Sequence, residues 1–262
     1  MLQYRLFPFR YFYPLVPLLF LGFIYFDSLK HILFFDTSAV DLSGGIEIKK
    51  SLLLSMLRLD SVIFDFSFYQ SFIYPLVMIL VAYAYYYLKS RHLKYFIGRK
   101  SDYDKRCTFL KLQLCLYVLL SFYIVIFALA LVSWLNGVAH MHGNLMPYFD
   151  QSSVLRFFGQ GTTTFVVYYC LVKSLALFVH TYFVCFLVDY LQSFIKSSML
   201  YLILMWALSP LLYSYLPPKY VPMTSLMSTS YSDADIPYLL SPYLGLVGVC
   251  IILKLRKHHE II

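Results

Sequence analysis

Apolar positions in this chain come as long unbroken runs, not in strand-like alternation or one-sided stripes. Runs near the roughly 20 residues that cross a bilayer as helix cover about 11–26, 71–88, 112–135, 164–188, 198–216 and 238–253. The pattern predicts an all-α integral membrane protein with six transmembrane helices in a single transmembrane domain over 1–262. The first run is short and contains Pro14 and Pro17. Basic residues precede it, as in a signal peptide, but no small-x-small cleavage site follows, so it reads as an uncleaved span. Tyr83, Tyr85, Tyr86 and Tyr87 end the second run and Trp134 closes the third, positions that suit the aromatic belts of a membrane interface.

The polar stretches between the runs divide into two kinds. Asp27 to Gln70 is a long outer segment with a Ser43-Gly44-Gly45 turn signal. Within it, Leu52, Leu53, Met56 and Leu57 recur at helical spacing, so 46–59 is expected to form an amphipathic helix on the outer surface or a lid packed on the spans. Asn136 to Thr163 and 217–237 are expected as outer loops, the latter opened by Pro217 and Pro218 and holding Asp233 and Asp235. Residues 1–10 form either an interfacial helix on the inner leaflet or a plain basic flank. Tyr190 to Ser197 reads as a tight inner turn, with Asp189 at the inner end of the fourth span.

The connection 89–111 is different in character. From Leu88 to Lys111 the chain carries eight cations (Lys89, Arg91, Lys94, Arg99, Lys100, Lys105, Arg106 and Lys111) against Asp102 and Asp104. A basic loop between two membrane-length runs faces the cytoplasm. Placing it there puts fourteen Lys and Arg on the inner side, six on the outer, and Lys173 within a span, with both termini cytoplasmic. Composition agrees, since 61% of residues are hydrophobic and 13% charged, against about 25% charged in soluble domains. The net charge of +8 is therefore membrane topology and not a nucleic-acid groove. Five cysteines lie in or beside apolar runs without a C-x-x-C pair, and read as small buried hydrophobes.

Motifs for self-contained chemistry are missing. Gly98-Arg99-Lys100-Ser101 lacks the earlier glycine and the Gly-Lys pair of a phosphate-binding loop, and neither H-E-x-x-H nor G-x-S-x-G occurs. His140 and His142 form a two-histidine motif without a visible third ligand, and His258-His259-Glu260 reads as a solvated tail, so no metal site and no bound cofactor are expected. Lys173 is the most informative single residue. It lies roughly 14 Å into the fourth span at 1.5 Å per residue, a depth at which its charge costs at least a few kcal/mol unless it faces protein or water. His180 follows seven residues on, with Tyr169 and Leu177 beside them. These four are expected to line a translocation path or a subunit interface; the alternative is a structural hydrogen bond to a neighbouring helix. No carboxylate lies within a span, which argues against proton- or sodium-coupled transport.

Within the basic loop, Leu93, Phe96 and Ile97 fall at i, i+3 and i+4 on one helical face. Gly98 can end that helix, and Ser101 precedes Asp104 as in a capping box. An apolar patch ringed by Arg91, Lys94, Arg99 and Lys100 suits docking on a partner protein, or, more simply, contact with anionic lipid. Through the six-span layout and the stretch YYYLKSRHLKYFIGRKSDYDKRCTFLKL, the chain resembles the integral membrane subunit of ABC-2 type (type V exporter-like) ABC transporters, including small permeases of bacteriocin and lantibiotic export or self-protection. Arg99 and Lys111 occupy places like that family's recurrent basic positions. The resemblance implies that 89–111 is a coupling loop docking on separate ABC ATPase subunits, which would hold the ATP and Mg. It implies a second permease subunit, identical or related, and a multi-pass location in a bacterial cytoplasmic membrane, in contact with lipid. The implied function is ATP-driven movement of a hydrophobic or amphipathic peptide or a lipid. The alternative is a non-transporting membrane immunity or assembly factor.

Overall fold

A computed structural model describes residues 22, 25–26, 30, 32–36, 45–93, 100–138, 149–227 and 235–259. Its ordered elements are helices, and no strand occurs among the described residues. We label them α1 (Gly45–Met56), α2 (Leu59–Leu88), α3 (Lys100–Leu135), α4 (Thr162–Leu191), α5 (Phe194–Leu202), α6 (Leu208–Tyr215) and α7 (Ile236–His259). Five helical stretches are long and apolar enough to cross a membrane: Tyr69–Arg91, Tyr103–Leu135, Thr162–Leu191, Phe194–Tyr215 and Ile236–Leu253. The protein is an all-α membrane protein. The expected first span at 11–26 lies almost wholly outside the described residues.

Helix α3 shows why these elements need an apolar solvent. Its inward face, with Leu110, Leu114, Val118, Phe122, Val125 and Leu129, is buried. Its outward face, with Leu116, Leu120 and Phe127, is equally apolar and remains 53–70% exposed. A water-facing helix would carry charge there; acyl chains ask only for hydrocarbon. Helix α4 is the most enclosed, with fourteen buried residues, and it packs against α2, α3, α5 and α7. It is the central post of the bundle.

Prolines inside the membrane are accommodated locally. Pro210 has no N–H for the preceding turn, and the chain widens into a π-turn at Ile203–Ala207 just before it. The Leu208 amide then reaches back to Ile203 O, and the Ser209 hydroxyl adds a bond to Leu204 O at 3.1 Å. Such repair is required where water is absent. At the other end of the hairpin, Gln192 adopts the left-handed conformation (φ 54°) that ends α4, and Ser193 caps α5 through the Lys196 amide, making the tight turn expected at 190–197.

Three boundaries differ from the expectation. The outer segment 27–70 does not remain outside the helices: α2 begins at Leu59, so 59–70 is the first two-fifths of a continuous helix that carries Gln70 fully buried. Apolar averaging missed this because the stretch mixes acids with Val62 and Ile63, both of which face the core. The amphipathic helix of 46–59 is α1, which breaks at Arg58, where extended backbone separates it from α2. Finally, 217–227 is not an outer loop. Its two 3₁₀ turns, Pro218–Tyr220 and Pro222–Ser225, lead back into the bundle, and Val221 to Leu226 are all buried.

This arrangement predicts an accessibility pattern. Tyr215→Cys, at a site 83% exposed, should react with an impermeant maleimide added to intact cells. Lys105→Cys should react only in inverted membrane vesicles. Ser225→Cys, 3% exposed, should react in neither; labelling as fast as Tyr215→Cys would mean the segment does not enter the bundle.

Candidate functional site

Two polar clusters are built along α4. The first lies at the end of the bundle that bears the basic loop. Asp189 sits two residues before the end of α4, where the helix dipole disfavours an acid. Two cations offset this. Lys89 Nζ, just past the end of α2, lies 2.6 Å from one carboxylate oxygen, and Lys111 Nζ, on α3, lies 2.6 Å from the other. The Tyr85 hydroxyl donates to the same carboxylate at 2.9 and 3.0 Å. Lys111 also lies over the Tyr182 ring at 5.2 Å. Lys89 and Lys111 are the roots of the basic loop, so one carboxylate fastens both of its ends to α4.

The second cluster lies at mid-depth. Lys173 and His180 are about 16 and 27 Å from the outer end of α4 at 1.5 Å per residue, straddling the centre of the helix. Both are completely buried. Lys173 Nζ donates to the main-chain carbonyl of Leu226. His180 Nε2 lies 2.7 Å from the Ser225 hydroxyl, and Nδ1 lies 2.9 Å from the Tyr201 hydroxyl. The Ser225 proton is directed to Pro222 O at 2.7 Å, so His180 Nε2–H is the donor and Tyr201 donates to Nδ1. A directed chain therefore runs from α5 through α4 into the inserted segment.

Further bonds pin that segment. Thr224 Oγ1 donates to Pro218 O at 2.6 Å, the Tyr213 hydroxyl lies 3.0 Å from Thr224 Oγ1, and Ser241 of α7 donates to Lys219 O at 2.6 Å. Non-helical backbone is tolerated at membrane depth only when protein satisfies it, and here side chains from α4 and α7 and the segment's own hydroxyls do so.

Tyr169, Lys173, Leu177 and His180 are brought together on one buried face of α4, all 0% exposed. Its Lys173 and His180 are met by the chain's own Ser225, Leu226 and Tyr201. Tyr169 extends the polar column outward, accepting from Gln70 Nε2 at 2.6 Å and lying 5.7 Å beneath Lys173. In the basic loop, Arg91 is exposed and stacks on Tyr87 at 4.6 Å. Leu93, expected beside Phe96 and Ile97 on an outward face, instead packs into the core at 1% exposure. Leu93 is the last residue of a π-turn, Lys89–Leu93, which shifts its register relative to α2. Lys94, Phe96, Ile97 and Arg99 lie outside the described residues, as does the Lys100 side chain. Helix α3 starts at Lys100, slightly ahead of the position that a Ser101 cap implies. His140 and His142 also lie outside; among the described residues no group of three His, Cys, Asp or Glu is placed to hold a metal.

Sequence reasoning missed Gln70, Tyr201, Ser225 and the pairing role of Asp189. Of these, Asp189 was findable: an acid at the negative end of an apolar helix needs cations, and the basic loop supplies them.

The Asp189 cluster predicts an asymmetry. Asp189→Asn leaves two ammonium groups facing each other and should destabilise the protein by about 2 kcal/mol, discounted for partial exposure from the roughly 3–5 of a fully buried pair. Lys89→Met or Lys111→Met alone should cost less, because the remaining lysine still neutralises the acid. Thermal unfolding in detergent would check the order; equal losses for all three would contradict it. Compared with family models, curated proteins and solved structures, the chain matches none.

Proposed function

We propose that the protein is the membrane-spanning permease subunit of an ATP-driven ABC-2 type transporter with six spans, residing in a bacterial cytoplasmic membrane. It works with separate ABC ATPase subunits and a second permease copy or relative. The observation that carries this reading is the anchoring of the basic loop. Lys89 and Lys111 tie both of its roots to Asp189 on α4, and α4 is the helix that bears Lys173 and His180. Force applied to 94–99 is delivered to the post that holds the inserted segment. A partner that binds the loop differently in two states thereby biases the bundle between two arrangements. The chain has no phosphate-binding loop, so ATP and Mg belong to the partner. The cargo is a hydrophobic or amphipathic peptide or a lipid.

A second reading keeps its place on a specific observation. The polar face of α4 is filled by the chain's own 221–227, as suits an immunity or assembly factor that binds a partner within the bilayer without transport.

Affinity purification of the tagged protein from its native host in mild detergent, followed by mass spectrometry, tests the first reading. A stoichiometric P-loop ATPase is expected to co-purify. Phe96→Asp combined with Ile97→Asp should reduce that association at least tenfold with the protein intact; unchanged association would overturn the docking role of the loop. Under the second reading no nucleotide-binding protein co-purifies with the intact protein, and that outcome distinguishes the two.

A further inference from the structure

A groove runs between α4 and α7 on the outside of the bundle. It encloses about 320 Å³ and is lined by Phe178, Tyr182, Phe186, Val247, Cys250 and Ile251 among others. That volume falls at the lower end of ligand-binding clefts, roughly 300–1,000 Å³. Tyr182 carries the only hydroxyl in its lining, so nothing there would recognise a polar ligand body or satisfy a peptide backbone.

Depth and charge identify the occupant. Phe178 and Phe186 lie about 20 and 8 Å from the inner end of α4 at 1.5 Å per residue, the depth of inner-leaflet acyl chains. Just beyond the groove lining lies Lys111, buried and paired with Asp189, its ammonium 5.2 Å from the Tyr182 ring. Lys111 and Lys89 share the single carboxylate of Asp189, which leaves an excess positive charge there. An apolar trough at acyl depth with surplus positive charge at its interfacial end is complementary to one chemistry: a hydrocarbon tail under an anionic head.

We propose that the groove between α4 and α7 is a binding site for one acyl chain of an anionic phospholipid, with the phosphate at the Lys111 end. This inference is independent of the transport reading. It needs neither an ATPase nor a cargo.

The test uses the full-length protein in phosphatidylcholine nanodiscs, doped with phosphatidylglycerol bearing a diazirine in its acyl chain. After irradiation, adducts are mapped by mass spectrometry. Adducts should concentrate on the α4 and α7 peptides, and unlabelled phosphatidylglycerol should displace the probe at least tenfold more effectively than phosphatidylcholine. Val247→Trp, a replacement at a half-exposed position, should fill the groove and remove most of the labelling. Ile251→Trp provides a second filler should the first variant fail to fold. Ile252→Trp, on a neighbouring lipid-facing position 66% exposed, should leave labelling unchanged. The proposal is overturned if adducts spread evenly over the outward face of α3, if a phosphatidylcholine probe labels the groove equally, if groove filling changes nothing, or if a second copy of the chain occupies the groove in place of lipid.

Discussion

An ammonium group at the middle of a membrane helix must be met by protein, and most of this bundle is arranged to meet Lys173. The acceptor is a main-chain carbonyl, that of Leu226. That carbonyl belongs to non-helical backbone, and non-helical backbone at that depth must itself be enclosed. The consequences follow in sequence. The segment 217–227 folds into two short 3₁₀ turns, its hydroxyls bond its own carbonyls, and α4, α6 and α7 close around it. His180 and Tyr201 extend the same bonding one helix further.

The inner cluster solves the opposite problem. Asp189 is an acid at the wrong end of a helix dipole, and two lysines from two other helices neutralise it. Because those lysines flank the basic loop, a local electrostatic correction becomes a mechanical connection. The helix that holds the inserted segment at its middle also holds the loop at its inner end. Helix α4 spans both clusters without a proline or glycine, so it can transmit displacement as a rigid rod. Helix α2 contains Pro75 and ends in a π-turn, and the α5–α6 span is broken by another. Helix α3 is uninterrupted too, and it packs along α4.

The membrane-facing surface carries its own information. Apolar exposure is expected wherever acyl chains are the solvent, so exposure alone marks no site. The concave region between α4 and α7 differs because hydrocarbon lining meets an unbalanced pair of lysines at one end.

What the sequence determined by itself was set by composition and spacing. Apolar runs long enough for a bilayer marked five helices that the structure contains, because the demand for hydrocarbon at every lipid-exposed position is written residue by residue. Lys173 and His180 stood out for the same reason, as polar groups where none belongs, and Asp189 stood out as the boundary of a span. The tertiary structure alone decided their partners. Nothing local in 217–227 distinguishes a loop lying outside from one folded inward; its Pro, Ser and Thr residues suit either, and the difference is made by Lys173, about 50 positions earlier. Gln70 was hidden because a helix can continue past its apolar run when its buried face is supplied by other helices. Leu93 pointed inward because a single π-turn rotated the helical register. The first two depend on contacts between residues distant in the chain and the last on a local change of helical register, and a 3.6-residue periodicity encodes neither.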